Sequence, residues 1–157
     1  MKLLIILFLI IKSVVHSDKT LKHCDTNKVG IDLNGKFLCN YKNHPNAFIE
    51  LKVCNKYLFT TKCKDWVKVH PSLDGSFNIT ELSGDTSGSF YFTVVFDFLI
   101  TCKGLKDNGK MCSVKSSFEL NKDCLYCDGE PKSKCNYEGI NIKDKYFKND
   151  ITCGNNN

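Results

Sequence analysis

The sequence predicts an all-β fold, a disulfide-reinforced antiparallel sandwich of seven or eight strands. Three observations predict it. Apolar residues alternate with polar ones at a period of two, turn-forming pairs separate these runs, and ten cysteines occur in 157 residues. All ten cysteines follow a short apolar N-terminal run, which indicates an oxidising compartment.

The first 17 residues have the three parts of a signal peptide. Lys2 supplies the positive start, an apolar run extends from Leu3 to Ile11, and Val15-His16-Ser17 fits the cleavage rule. A membrane anchor is the less favoured alternative, because Lys12 ends the run at roughly half the ~20 residues that cross a bilayer. We therefore expect cleavage before Asp18 and a secreted, extracellular protein with no transmembrane segment.

The remaining chain has the length of one domain. We divide it into a signal peptide at 1–17, an N-terminal arm at 18–28, a sandwich domain at 29–147 and a polar tail at 148–157. In the arm, a short helix around residues 19–27 is an alternative, and no other segment has a helical pattern.

The alternation marks the strands in order. Ile49, Leu51 and Val53 alternate with Glu50 and Lys52, which predicts a half-buried strand. The same pattern recurs at 77–79, 90–95, 114–120 and 140–142. Turn signals separate these runs: Asn34-Gly35, Asn43-His44-Pro45-Asn46, Asp74-Gly75, Ser83-Gly84-Asp85, Asp107-Asn108-Gly109 and Asp128-Gly129.

The charge pattern argues against a nucleic-acid partner. The net charge is +5, and all 22 basic residues are lysines that mostly alternate with acids. Without arginine, the chain has no guanidinium group to bind phosphate in a bidentate manner.

The cysteines are expected to form structural disulfides, and their connectivity stays open. They are Cys24, Cys39, Cys54, Cys63, Cys102, Cys112, Cys124, Cys127, Cys135 and Cys153. Cys124 and Cys127 have the spacing of a redox pair, but no βαβ unit surrounds them. A zinc site that adds Cys112 or Cys135 is a second alternative, which the single close pair and the oxidising compartment disfavour.

No catalytic, metal or cofactor site is predicted. His23, His44 and His70 lie in different segments, and no Gly-x-Ser-x-Gly motif is present. The aromatic residues between Phe90 and Phe98 are more typical of a core than of a ligand pocket. Asn78-Ile79-Thr80 is the one glycosylation sequon, and its alternation places Asn78 on the outward side of a strand.

Four blocks of the sequence follow a recognisable order and spacing. Leu33–Asn40 leads into Phe48–Val53, and Leu73–Ile79 is followed by Leu82-Ser83-Gly84. Phe98–Cys102 is followed by Asn108–Cys112, and Tyr137–Ile142 comes last. Over residues 29–142 this order resembles the secreted transthyretin-like family of nematodes.

The chain departs from the family pattern in two respects. Ile100-Thr101 stands where the family has a Tyr-His pair, and the cysteines are more numerous. Cys39, Cys102 and Cys112 fall where the family keeps cysteines. Another secreted sandwich, immunoglobulin-like or fibronectin-like, is the alternative fold.

The resemblance implies a prealbumin-like sandwich and a non-catalytic extracellular binding or signalling role. The implied ligand is a cell-surface protein, a lipid headgroup or a small apolar molecule, and the oligomeric state stays open. The 5-hydroxyisourate hydrolases share this fold, but they use histidines, an arginine and a Tyr-Arg-Gly-Ser ending that this chain lacks. The alternative function is a disulfide-rich effector or inhibitor that acts on a host or prey protein through the loop at 124–135.

Overall fold

The computed structural model describes residues 19–39, 42–43, 46–86, 91–103, 111–141 and 150–153. The predicted signal peptide lies outside the described residues, as do His44, Phe90 and the turn predicted at 107–109. Within the described part, the chain forms ten strands and one short 3-10 turn at Lys122–Cys124. That part contains no helix with the length and apolar character needed to cross a lipid bilayer.

Both sheets have five strands, and the one with more strand residues, which we call the larger sheet, is antiparallel throughout. In spatial order they are β10 (Asp150–Cys153), β7 (Met111–Glu119), β6 (Tyr91–Lys103), β3 (Ala47–Lys56) and β4 (Thr61–Val69).

The smaller sheet is built around β1 (Lys28–Cys39). On one edge β1 pairs with β5 (Ser76–Asp85), and near its end with β2 (Lys42–Asn43), both antiparallel. On the other edge it pairs with β8 (Leu125–Cys127), antiparallel, and then with β9 (Lys134–Asn141), parallel.

The prediction of an all-β, disulfide-reinforced sandwich is confirmed. Eight of the described strands have at least four residues, and β2 and β8 are shorter. The parallel pairing of β1 with β9 departs from the predicted antiparallel arrangement. In immunoglobulin sandwiches the first strand pairs with the second in one sheet. Here β1 and β3, the first two long strands, lie in different sheets, which disfavours that alternative.

The core lies between the sheets and consists of the inward residues of each strand. In β1 the inward set is Val29, Ile31, Leu33, Phe37 and Cys39, all buried. The aromatic rings contact one another in this layer, since Phe37 lies 5.2 Å from both Phe77 and Phe98, centroid to centroid. The β6 aromatics at 92, 96 and 98 are therefore core residues, while Tyr91 is exposed.

Two predicted turns are present and two are wrong. Asp74-Gly75 and Asp128-Gly129 form turns, with φ of 83° at Gly75 and 87° at Gly129. Asn34-Gly35 lies inside β1, and Ser83-Gly84-Asp85 lies inside β5. At Gly35 the reason is close packing, because an added Cβ would lie 2.5 Å from the ring of Phe77 and 2.8 Å from the Tyr137 carbonyl oxygen.

At the two ends of the domain, the helical alternative is absent and part of the segment assigned to the tail is a strand. Residues 19–27 form a turn, a single bridge from Lys22 to Phe92 and a bend, with no helix. Asp150–Cys153, assigned to the polar tail, forms β10 on the edge of the larger sheet.

Candidate binding surface

The β3–β4 hairpin presents two large apolar side chains to solvent at its tip. We call residues 57–60 the apex. The Tyr57 N–H donates to the Thr60 carbonyl oxygen at 2.8 Å, which closes the turn. Leu58 is 88% exposed and Phe59 is 91% exposed. Isolated exposed apolar residues are ordinary, but two adjacent ones at the end of a projecting hairpin suggest a contact surface.

A disulfide holds the base of this hairpin. Cys54 and Cys63 are direct partners in the β3–β4 register and are bonded to each other. The bridge lies two residue pairs from the last pair of the hairpin, Lys56 with Thr61. The apex is therefore carried on a cross-linked two-stranded stem.

Lysines surround the stem. Lys62 Nζ lies 5.8 Å from the centre of the Tyr57 ring, within cation–π range. Lys56 Nζ lies 3.7 Å from Glu119 Oε1, and Lys64 Nζ lies 3.4 Å from an oxygen of Asp85. Lys56 is half-buried, and Lys62 and Lys64 are exposed.

The cysteine-framed loop, residues 124–135, is the second candidate. Cys124 bonds to Cys135, and Cys127 bonds to Cys24 in the N-terminal arm. Leu125, Tyr126 and Cys127 are buried as β8, whereas residues 128–132 are exposed. Leu125–Cys127 thus belongs to the smaller sheet. Residues 128–133, which we call the projecting half, lie between β8 and β9.

Glu130 anchors the projecting half. Its Oε2 accepts hydrogen bonds from the Cys127 N–H at 2.7 Å and from Lys22 Nζ at 3.0 Å. The Cys127 N–H, followed by Lys22, holds the pKa of Glu130 below its usual range. The carboxylate is therefore charged at neutral pH and ties the loop to the arm.

The outer face of the larger sheet carries an ion-pair network beside a depression that Phe48, Phe98 and Leu99 also line. Lys52 Nζ lies 2.7 Å from Asp97 Oδ2 and 3.3 Å from Glu50 Oε2, and Lys68 Nζ lies 2.9 Å from Glu50 Oε1. The hydrogen bond from Lys68 is the largest cause that lowers the pKa of Glu50, and the one to Asp97 raises the pKa of Lys52. The carboxylates are thus matched by lysines, an arrangement suited to stabilising the surface rather than to transferring protons.

The outer face of the smaller sheet contains the sequon. Asn78 lies on β5 and is exposed. It pairs with Asn34 of β1, which pairs on its other side with Asn136 of β9. Ile79 points into the core. The side chain of Asn78 is therefore accessible on a polar face, and its glycosylation stays a prediction.

The structure gives no support to the redox pair or the zinc site that were considered from the sequence. Cys124 and Cys127 are bonded to different partners, so they do not form the redox pair that their spacing suggested. All ten cysteines are in disulfides. In the described ranges, no three His, Cys, Asp or Glu side chains are grouped as a metal site would require.

The two described histidines after the leader lie at opposite ends of the sandwich. His23 lies 6.0 Å from Tyr91, at the start of β6, and His70 lies 5.2 Å from Phe48, near the start of β3. Because β3 and β6 are antiparallel, these positions are far apart.

Sequence reasoning missed the apex. Leu58 and Phe59 read as core residues when taken singly, and no Gly, Pro, Asn or Asp marks the turn. The one available signal was the spacing of Cys54 and Cys63, which suits a short cross-linked hairpin.

No protein-family model and no curated protein matches this chain. Among solved structures, a 9R-lipoxygenase from Cyanothece PCC8801 aligns with 86% of this chain at 12% sequence identity and a TM-score of 0.36. The chain spans 20% of that protein's length.

Proposed function

We propose that this chain is a secreted, non-catalytic binding protein that docks on anionic lipid surfaces through the apex of the β3–β4 hairpin. The observation that carries the proposal is the near-complete exposure of Leu58 and Phe59 at the apex. The lipid headgroup is chosen over a protein or a small apolar ligand because lysines of the stem flank the apolar apex.

The apolar part of the contact comes from the two side chains. Burying a Leu or Phe side chain contributes about 1.5–3 kcal/mol. In water both side chains stay exposed and do not gain this free energy. A bilayer interface can bury an apolar tip of one short turn. The Cys54–Cys63 bridge favours binding further, because a stem that is already ordered loses less conformational entropy on docking.

The electrostatic part comes from the lysines of the stem. Lys62 lies two residues after the apex, and Lys56 and Lys64 flank it in the paired strands, each beside an acidic side chain. A lysine near an anionic surface contributes about 1 kcal/mol, and we assign this contribution to Lys62, which has no carboxylate partner among the described residues. Apolar tips with basic flanks are the combination that holds proteins at such surfaces.

The fold is a second support for the proposal. The family resemblance implies a prealbumin-like sandwich, and the chain forms a two-sheet sandwich that disulfides reinforce. The disulfide set supports secretion, since such bonds persist in oxidising compartments.

The test is co-sedimentation of the oxidised protein with lipid vesicles. One set of vesicles contains phosphatidylcholine with phosphatidylserine, and the other contains phosphatidylcholine alone. We expect binding to the anionic vesicles that weakens with salt. The double variant L58S/F59S should bind at least about 100-fold more weakly, because the two side chains together contribute about 3 kcal/mol or more and about 1.4 kcal/mol corresponds to tenfold. K62Q should weaken binding by about fivefold.

The matched control is Leu73, which is 89% exposed in the turn after β4. The apex precedes β4 and Leu73 follows it, so the two positions lie at opposite ends of the strand. L73S should bind like the wild type. An equal loss in L73S and L58S/F59S, or no binding of the wild type to anionic vesicles, would overturn the proposal.

A further inference from the structure

The projecting half of the cysteine-framed loop is fixed at both ends by covalent bonds. On its N-terminal side Cys127 is bonded to Cys24, and on its C-terminal side Cys135 is bonded to Cys124. Cys135 also lies opposite Leu33 in the β1–β9 pairing. The segment between them therefore starts and ends on rigid elements of the smaller sheet.

Hydrogen bonds order the first residues of this segment. The Glu130 N–H donates to the Cys127 carbonyl oxygen at 2.9 Å, and Gly129 has a φ of 87° in the turn so formed. The Asp128 N–H donates to the Lys28 carbonyl oxygen at 3.3 Å, which seats the turn on β1. The Glu130 carboxylate closes the turn through Cys127, as described above.

The next residues are held out to solvent without regular structure. Pro131 and Lys132 are exposed, and Ser133 is half-buried before β9 begins at Lys134. Pro131 fixes its own φ and limits the conformations of the segment. Within the described residues Lys132 makes no ion pair, in contrast to Lys22 on the neighbouring arm. The result is a constrained segment that carries an exposed lysine with no ion-pair partner among the described residues.

We propose that Pro131-Lys132-Ser133 is a substrate-like inhibitory segment for serine proteases that cleave after basic residues. Lys132 would enter the specificity pocket, whose acidic residue pairs with a basic side chain in enzymes of trypsin type. Protease–inhibitor contacts are formed by pre-organised surfaces that move little on binding. Such a surface binds tightly because it loses little entropy.

The disulfide topology explains why such binding would inhibit. The Cys124–Cys135 bridge spans the Lys132–Ser133 bond, so cleavage leaves the two new ends joined. In the acylation step the protease serine oxygen bonds to the Lys132 carbonyl carbon, the Lys132–Ser133 amide bond breaks, and the serine proton passes through the protease histidine to the Ser133 nitrogen. The amine then stays beside the acyl-enzyme, where it competes with water to reform the peptide bond.

This inference goes beyond the proposed membrane role and rests on a different segment. The test measures residual trypsin activity on a chromogenic peptide after incubation with the oxidised protein. We expect inhibition by the wild type and by K132R. K132A should raise the inhibition constant by about 100-fold or more, as expected for the loss of a central anchor residue.

The matched control is K134A, which removes another exposed lysine two residues further along the chain, at the start of β9. It should inhibit like the wild type. Mass spectrometry of the mixture locates any cleaved bond among the many lysines. Inhibition that survives K132A, no inhibition by the wild type, or rapid complete hydrolysis at Lys132 with trypsin left active would each overturn the proposal. Vesicle binding by K132A should equal that of the wild type, so the two proposals fail separately.

Discussion

Replacing Gly30 with alanine should destabilise the fold by displacing one aromatic ring. Gly30 of β1 faces Tyr126 of β8 in the paired register. A Cβ built on Gly30 would overlap ring atoms Cζ and Cε2 of Tyr126 and lie 2.7 Å from its hydroxyl oxygen. Tyr126 is buried, and its hydroxyl donates to the Glu81 carbonyl oxygen at 3.3 Å, so the ring has little freedom to move aside.

The size of the effect follows from the two ways in which the structure can respond. If the ring stays, overpacking costs about 1–3 kcal/mol. If the ring leaves, the lost burial of a large side chain costs about 1.5–3 kcal/mol. We therefore expect G30A to lower the free energy of unfolding by about 2–3 kcal/mol, measured by urea titration of the oxidised protein.

A double-mutant cycle identifies the ring as the cause. In a Y126L background the smaller side chain leaves room for the methyl group, so adding G30A should cost less than about 1 kcal/mol. G129A is the matched control, because an added Cβ there meets nothing within 4 Å and only the φ of 87° is unfavourable. Its cost of about 1–2 kcal/mol should be the same in both backgrounds. The reasoning is refuted if G30A is equally costly with and without Tyr126.

Three further predictions concern charge, modification and a cross-link. Hydrogen bonds from the Ser76 hydroxyl and N–H hold the pKa of Asp74 well below its usual range. This carboxylate therefore stabilises the fold above about pH 4, and the stabilisation is lost as pH falls through the lowered pKa. D74N should therefore be less stable than the wild type at neutral pH, and the difference should shrink in acid; urea titrations that show a constant difference would contradict this. N78Q should remove a glycosidase-sensitive gel shift of protein secreted by eukaryotic cells, and a shift that persists would place the glycan elsewhere. The C54A/C63A variant should lose up to about 3 kcal/mol of stability, because the Cys54–Cys63 bridge closes a short loop. It should also bind anionic vesicles more weakly than the wild type. Unchanged vesicle binding would show that the apex needs no cross-link.

The sequence predicted the strands whose two faces differ in environment. Over residues 47–53 of β3 and 76–80 of β5, one set of alternate residues is buried and the other is not, so the sequence shows the period of two. The edge strand β4 was not predicted, because most of its residues are exposed and no alternation results. Glycines misled the turn assignment for a related reason. At Gly35 and Gly84 the missing side chain serves close packing inside strands, a need that only the tertiary structure creates.

The pairing of the cysteines was beyond the sequence because it depends on register. Cys54 and Cys63 are bonded because they face each other across two strands, and Cys112 and Cys153 for the same reason. Cys39 and Cys102 are bonded across the two sheets. The candidate sites were predicted unevenly. The cysteines drew attention to the loop at 124–135, whereas the apex carries the same residue types as a core strand.

The disulfides divide the sandwich into a locked end and a presenting end. The Cys39–Cys102 bridge brings the end of β1 beside the end of β6, and Cys112–Cys153 lies next to it in the register of the larger sheet. Cys39, Cys102 and Cys112 therefore close one end of the core.

Both candidate surfaces lie at the other end. Lys56, beside the apex, faces Tyr91 at the start of β6; the next residue, Phe92, bridges to Lys22 of the arm, and Lys22 pairs with Glu130 of the cysteine-framed loop. A continuous series of contacts thus joins the apex to the loop. The Cys54–Cys63 and Cys24–Cys127 bridges stand at this end, where they hold projecting segments that have little core of their own. A cross-link is most effective at ordering a segment where packing contributes least, and these two bridges stand at the end where we propose that the chain presents surface to a partner.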